Sequence, residues 1–129
     1  MLDILIVEDE PIILETLSFL LSHEGWTVDS VGHGDEVMGA IRRKRPGVVL
    51  LDVMLPGRSG FDVLRALRAD PDHADTPVLI LTARGQNHDR QLAQDLKADA
   101  FITKPFANDA LVAGVRQLMT LRAGRARQG

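Results

Sequence analysis

Four apolar residues, Val48-Val49-Leu50-Leu51, run without interruption into a carboxylate, Asp52, and Pro56-Gly57 then turns the chain away. A strand with one wet face alternates apolar and polar residues. An unbroken apolar run needs cover on both faces, which a parallel sheet clad in helices provides. Pro-Gly is turn chemistry. Asp52 therefore stands where a central strand runs out. In open α/β sheets, ligands bind outside the carboxyl ends of the strands. A carboxylate at that place either needs a charged partner or is reactive.

The rest of the chain repeats the same alternation. Residues 2–7 form a first apolar strand that ends in Glu8-Asp9-Glu10. Pro11 is suited to the first position of a helix, with Asp9 or Glu10 as its N-cap. Ile12, Ile13, Thr16, Leu17, Leu20 and Leu21 recur at helical spacing, and Gly25 stops the helix. Residues 26–31 read as a second strand. Residues 35–43 read as a second helix with Val37, Met38 and Ile41 inward, ended by Pro46-Gly47. After the Asp52 strand, Ser59 caps a helix over residues 60–69, with Phe61, Val63, Leu64 and Leu67 inward. A polar loop, 70–76, leads to a fourth strand over 77–81, which ends at Thr82-Ala83. Residues 86–96 form a polar helix in which Leu92, Ala93 and Leu96 face inward, so it is expected to be the most exposed of the helices. Ala100-Phe101-Ile102-Thr103 is a short fifth strand before Lys104-Pro105. Asn108 caps a last helix with Leu111, Val112, Val115, Leu118 and Met119 inward.

Five βα units in strict alternation predict an α/β fold: a five-stranded parallel sheet between two layers of helices, of flavodoxin-like (βα)5 type, with right-handed crossovers. The 129 residues fit one domain, expected over 1–122, with 123–129 as a flexible tail or the start of a linker. The net charge of −3 supplies no whole-chain attraction for nucleic acid or an anionic membrane. With no cysteine, disulfides, thiolate metal sites and Cys nucleophiles are excluded. No apolar run approaches the roughly 20 residues of a membrane span, and the amino terminus lacks the basic start of a signal peptide. The simplest compartment is the cytoplasm.

Four strand ends deliver polar groups to one sheet edge: Glu8 and Asp9, Asp52, Thr82, and Lys104. Carboxylates crowded together raise one another's pKa unless a cation intervenes. A hard divalent ion with oxygen ligands resolves that repulsion, and Mg²⁺ typically combines a few carboxylates with waters and a phosphoryl group. With a hydroxyl and an ammonium added, the set forms a phosphoryl-binding site, where positioning and charge neutralisation are what transfer requires. Asp52 is then the candidate nucleophile.

These residues, in this order, resemble the receiver domain of two-component response regulators across residues 2–121. The matching pieces are Ile4-Leu5-Ile6-Val7-Glu8-Asp9-Glu10, Leu50-Leu51-Asp52-Val53-Met54-Leu55-Pro56-Gly57 with Gly60, Leu79-Ile80-Leu81-Thr82-Ala83, and Ala98-Asp99-Ala100-Phe101-Ile102-Thr103-Lys104-Pro105-Phe106. The resemblance implies a phosphoacceptor switch and not an enzyme acting on external substrates. Asp52 would accept a phosphoryl group from a phosphohistidine on a sensor histidine kinase or a histidine phosphotransfer protein. Mg²⁺, or Mn²⁺ in its place, would be held by Asp9, by Glu8 directly or through water, by Asp52 and by the backbone carbonyl of Met54. Thr82 and Lys104 would contact the phosphoryl oxygens, and the Lys104–Pro105 bond would be cis. Thr82 and Phe101 would be the switch pair, reshaping the face made by helix 4, strand 5 and helix 5. That face would meet an output partner or a fused effector domain. The Arg116/Arg122 side of helix 5 offers a surface for a phosphorylation-dependent homodimer.

Two alternatives stand beside this reading. A phosphohydrolase with an Asp nucleophile, of the haloacid-dehalogenase type, carries a second Asp two residues after the first, where this chain has Met54. A pseudo-receiver that binds partners without phosphorylation would have lost Asp52, Lys104 or the acidic pair, and all are present. Lys97 stands where the family often has Gly before Ala-Asp, and Arg84 and Met54 flank the expected pocket. The four histidines lack ligand spacing and read as solvated, and Gly32-His33-Gly34 lacks the third glycine of a dinucleotide loop. No DNA-binding segment follows residue 121, so output falls to protein contacts or to a longer chain of which this is the receiver.

Overall fold

The computed structural model of the chain describes residues 2–83 and 87–128, with side chains as far as 124. Five strands, β1 (Ile4–Val7), β2 (Val28–Val31), β3 (Val48–Asp52), β4 (Val78–Thr82) and β5 (Ala100–Thr103), alternate with five helices. The helices are α1 (Pro11–His23), α2 (Gly34–Lys44), α3 (Gly60–Ala69), α4 (Asn87–Asp95) and α5 (Asn108–Gln128). All strand pairs are parallel and the order across the sheet is β2-β1-β3-β4-β5. The three most apolar strands thus fall in the centre. Every residue of β1, β3 and β4 is buried, whereas β5 at the edge is half-buried throughout.

The period-2 geometry of a strand splits each apolar run between two layers. Leu5, Val7, Val49, Leu51 and Ile80 face Val37, Ile41, Phe61, Leu64 and Leu67 of α2 and α3. Ile4, Ile6, Val48, Leu50, Leu79 and Leu81 face Leu17 and Leu21 of α1 and Leu111, Val115 and Leu118 of α5. An unbroken apolar strand is what such two-sided cover demands.

Several local expectations needed adjustment. In α1 the buried stripe is carried by Leu17 and Leu21, while Ile12 lies 79% exposed. Glu10 is the N-cap by backbone geometry but makes no side-chain capping bond. In α4, Ala93 is buried and Leu92 is half-buried, as is Leu96 just past its end, and Asp89 is unexpectedly buried too. Gln86 lies outside the described residues, as does Arg84. α5 continues to Gln128. Arg122 lies near that end, 3.6 Å from Asp3, with its guanidinium over Gly47, where an added Cβ would meet it. Arg116 pairs with Glu24 and lies 5.4 Å over the Trp26 ring. Both arginines thus point toward α1 and the amino edge of the sheet, away from β5, and are engaged within the chain.

Arg68 ties the far end of α3 to its surroundings, donating to the carbonyls of Ala74, Thr76 and Lys97 and to Asp99. Asp99 also accepts from the backbone of Val78, which holds the turn before β5 against the start of β4. Lys97 in that turn has φ +66°, the left-handed region. Its N–H reaches Gln94 and that of Ala98 reaches Ala93, the paired bonds of a Schellman cap, whose turning residue is usually Gly. Lys97→Gly relieves the left-handed strain, and the expected result is a gain of about 0.5–1 kcal/mol. Urea unfolding checks it: the midpoint rises with an unchanged slope. A lower midpoint would mean that the Lys97 side chain contributes more than its backbone costs.

Candidate functional site

The pairing register places the polar residues at one edge. Val7 pairs with Leu51, Asp52 with Leu81, and Thr82 with Thr103. Glu8, Asp9 and Asp52 therefore emerge side by side from β1 and β3, with Thr82 next and Lys104 beyond it. Among the described residues, the buried polar and charged side chains are Glu8, Asp52, Thr82 and Asp89. Three of these four stand at this edge of an otherwise apolar sheet, where burying a charge is costly unless it is paired.

Lys104 comes from the outer strand, and its long side chain reaches back across the edge. Its Nζ lies 2.7 Å from Glu8 Oε1 and 3.4 Å from Asp52 Oδ2, with Glu10 at 4.0 Å. Its own N–H donates to the carbonyl of Thr82 at 2.7 Å, which locks the start of the loop onto β4. The Lys104–Pro105 peptide is cis. Glu8 is held at both oxygens, since Oε2 accepts the N–H groups of Asp9 and Glu10. Asp52 Oδ1 accepts the N–H of Met54 at 3.1 Å, whereas Oδ2 is buried and has no hydrogen-bond partner.

Electrostatics follow from this packing. Burial and the adjacent Glu8 carboxyl push the Asp52 carboxyl up to about 7, against the opposing pull of Lys104. Burial also works against ionised Glu8, but its bonds with Asp52, Lys104 and the Glu10 amide outweigh that and hold it below the usual range. Lys104 is held above its ordinary value: burial lowers it, and Glu8 and Asp52 more than restore it. The site thus carries one firmly ionised acid, one ammonium, and a central carboxyl whose charge is poorly compensated.

The donor set fits a hard divalent cation. One oxygen each from Glu8, Asp9 and Asp52 lies within 4.8 Å of the others, all are carboxylates, and Asp9 is open to solvent. Asp52 Oδ2, which accepts no hydrogen bond and has the Lys104 ammonium 3.4 Å away, is an atom that a further cation would stabilise. Met54 has an exposed side chain on the rim, and its backbone amide already ties it to Asp52.

The loop after Asp52 is seated by glycines and by a histidine. Gly57 has φ +86°, and an added Cβ would meet His33. His33 caps α2, its Nδ1 accepting the Asp35 N–H at 3.3 Å, a structural role beyond the solvated one expected of it. Behind the site, Gly60 donates to the Val53 carbonyl, and a Cβ there would lie 2.3 Å from the Asp52 carbonyl oxygen. Phe101 is half-buried on β5, packed on the α2–α3 layer and covered outside by Arg90 of α4. Sequence reasoning missed Arg90, whose position on a polar helix carries no signal by itself.

The family model of the response regulator receiver domain matches residues 4–116. The chain belongs to this family. The receiver is 42% identical over 116 residues to a probable transcriptional regulatory protein of Mycobacterium tuberculosis, TcrX, covering 90% of this chain and 49% of that protein. The chain spans about half the length of the curated relatives it matches. Its fold superposes with a TM-score of 0.90 on the signal receiver domain of a LuxO repressor protein from Vibrio parahaemolyticus, at 26% identity and covering 97% and 95% of the two chains. The receiver domain of a sensor histidine kinase from Pseudomonas aeruginosa, solved with a magnesium ion coordinated in the active site cleft, superposes with a TM-score of 0.84 at 26% identity, covering 92% and 98%. The receiver is thus a five-stranded, flavodoxin-like domain of two-component signalling. No helix among its described residues is long and apolar enough to cross a membrane.

Proposed function

We propose that this receiver is a working phosphoacceptor switch in which Asp52 takes a phosphoryl group from a phosphohistidine on a sensor kinase or phosphotransfer protein. The observation that carries the reading is the Asp52 carboxylate itself, buried, with Oδ2 accepting no hydrogen bond, ion-paired at 3.4 Å with the Lys104 ammonium and grouped with Glu8 and Asp9. Asp9, Asp52 and the Met54 carbonyl would hold Mg²⁺, with Glu8 behind them, and Mn²⁺ suits the same oxygens. When bound, the ion supplies positive charge against the phosphoryl oxygens.

Asp52 Oδ2 attacks phosphorus, the new O–P bond forms as the P–N bond of the donor breaks, and the electron pair leaves on the imidazole nitrogen. Lys104 stands beside the attacking oxygen and neutralises charge that gathers on the phosphoryl group, and the Thr82 hydroxyl donates to it. The product places a dianion between Thr82 and Lys104, and any movement of either is transmitted to Phe101 through adjacent strands. The α4–β5–α5 face is then the output surface, binding a partner, a fused effector or a second copy of the chain. A relative described as a probable transcriptional regulatory protein, of which the match covers 49%, supports the fused-effector form. The cytoplasm is the compartment that fits this reading. Turnover of external substrates is disfavoured because Met54 occupies the position of the second acid.

Intact mass after incubation with Mg²⁺ and acetyl phosphate or phosphoramidate tests the reading. One added phosphoryl group is expected, absent with Asp52→Asn and with EDTA. No addition to the wild type, together with no binding of beryllofluoride, would favour the pseudo-receiver.

A further inference from the structure

α4 is the shortest of the five helices and the most polar. Its nine residues bury Asp89 and Ala93 and present mainly polar side chains elsewhere. One contact with β5 is a stack: the Arg90 guanidinium carbon lies 4.7 Å from the centroid of the Phe101 ring. Phe101 also packs against the core cluster that α2, α3 and Ala93 of α4 build over the sheet. Among the described residues Arg90 makes no ion pair, so no carboxylate dictates its position. A cavity of about 260 Å³ opens beside the pair, lined by Arg90, Ala93, Gln94, Ala98 and Phe101 among others, so neighbours do not wedge the two side chains together.

We propose that Arg90 is a latch on Phe101: its guanidinium, stacked on the outward face of the ring, holds β5 and α4 in their present arrangement and so restrains the phosphoryl-dependent change. The inference rests on the phosphoacceptor reading of the site. Cation–π attraction requires the ring face to be presented to the cation. A ring turned into the domain withdraws that face from Arg90. The stack therefore stabilises one arrangement and not the other, which is the condition for biasing a two-state equilibrium. At an exposed site the contact shifts such an equilibrium by about two- to fivefold.

Calorimetric titration of the full chain with beryllofluoride in Mg²⁺ tests the latch. Arg90→Ala is expected to bind about two- to fivefold more tightly than the wild type. Arg90→Lys should stay near the wild type, and Arg90→Ala should have no effect in a Phe101→Ala background. An unchanged affinity in Arg90→Ala, or the same change with Phe101 absent, would overturn the proposal. A wild type that binds no beryllofluoride would strike the phosphoacceptor reading instead. The latch then stands or falls on a ¹⁹F label placed in the Phe101 ring. Its resonance should shift or broaden in Arg90→Ala, and a wild-type spectrum in that variant would overturn it.

Discussion

Asp52→Asn is expected to make the metal-free protein more stable at pH 8, by about 2 kcal/mol, while abolishing its phosphorylation. The native Asp52 carboxyl is raised from an ordinary 3.8 to about 7 by burial and by Glu8. A carboxyl with a raised native pKa binds its proton more tightly in the folded state than in the unfolded chain. Folding is therefore unpenalised below about pH 4, loses stability as pH climbs from 4 to 7, and carries the full penalty above 7. A shift of that size corresponds to at most about 4 kcal/mol. Asparagine keeps an acceptor for the Met54 N–H but loses the attraction to Lys104, which brings the expected gain down to about half. Urea unfolding in EDTA at pH 5 and pH 8 checks both sign and window. The gain should be small at pH 5 and full at pH 8, and a gain equal at the two values would mean that charge is not its cause. Added Mg²⁺ reverses the order, because a ligand that binds the native wild type stabilises it by mass action and the variant has lost a ligand.

The elements of the fold were legible because their signals are strong and mutually consistent. Apolar runs in β1, β3 and β4 admit little besides a doubly covered parallel sheet, and Ser59 marks the start of α3, its hydroxyl accepting the Asp62 N–H. The convergence of the candidate site residues was legible for a related reason: in a parallel sheet, all strand ends of one sense lie on one edge, so order along the chain becomes proximity in space. What stayed hidden depends on contacts distant in sequence. Ile12 has helical spacing, but whether position 12 or 13 faces the core is set by how α1 settles on α5. The roles of Arg116 and Arg122 arise from Glu24 with Trp26, and from Asp3, none of which periodicity links to them. Asp89 and Arg90 sit on a helix whose polarity offers no pattern to read. The three-residue gap between β4 and α4 in the described structure includes Arg84, so its place beside the pocket stays an expectation from sequence.

Gly60→Ala is expected to cost about 3 kcal/mol of stability or more, the largest loss from the smallest addition. Gly60 opens α3, and that helix begins directly beneath the carboxyl end of β3. An added Cβ would lie 2.3 Å from the Asp52 carbonyl oxygen and 2.8 Å from the Val53 Cα. Both obstacles are backbone, in a strand whose residues pair with β1 on one side and β4 on the other. No flexible side chain can yield, so either α3 retreats and uncovers Phe61, Val63 and Leu64, or the end of β3 moves. Overpacking of a close-packed interior commonly costs 1–3 kcal/mol, and a clash that only backbone displacement relieves lies at or above the top of that range. Alanine is the better helix former by about 1 kcal/mol, so propensity alone predicts the opposite sign. Denaturant unfolding therefore discriminates cleanly: a stabilised variant would show that α3 starts further from β3 than described. The same displacement shifts Asp52 relative to Lys104, whose reach is fixed by its own bond to Thr82. At a denaturant concentration where the variant is still folded, its rate of phosphorylation by acetyl phosphate should fall at least tenfold. Geometry at a reacting centre is sensitive to shifts of about 1 Å, and the glycine that lets α3 approach is what holds the Asp52 carboxylate in place beside the Lys104 ammonium.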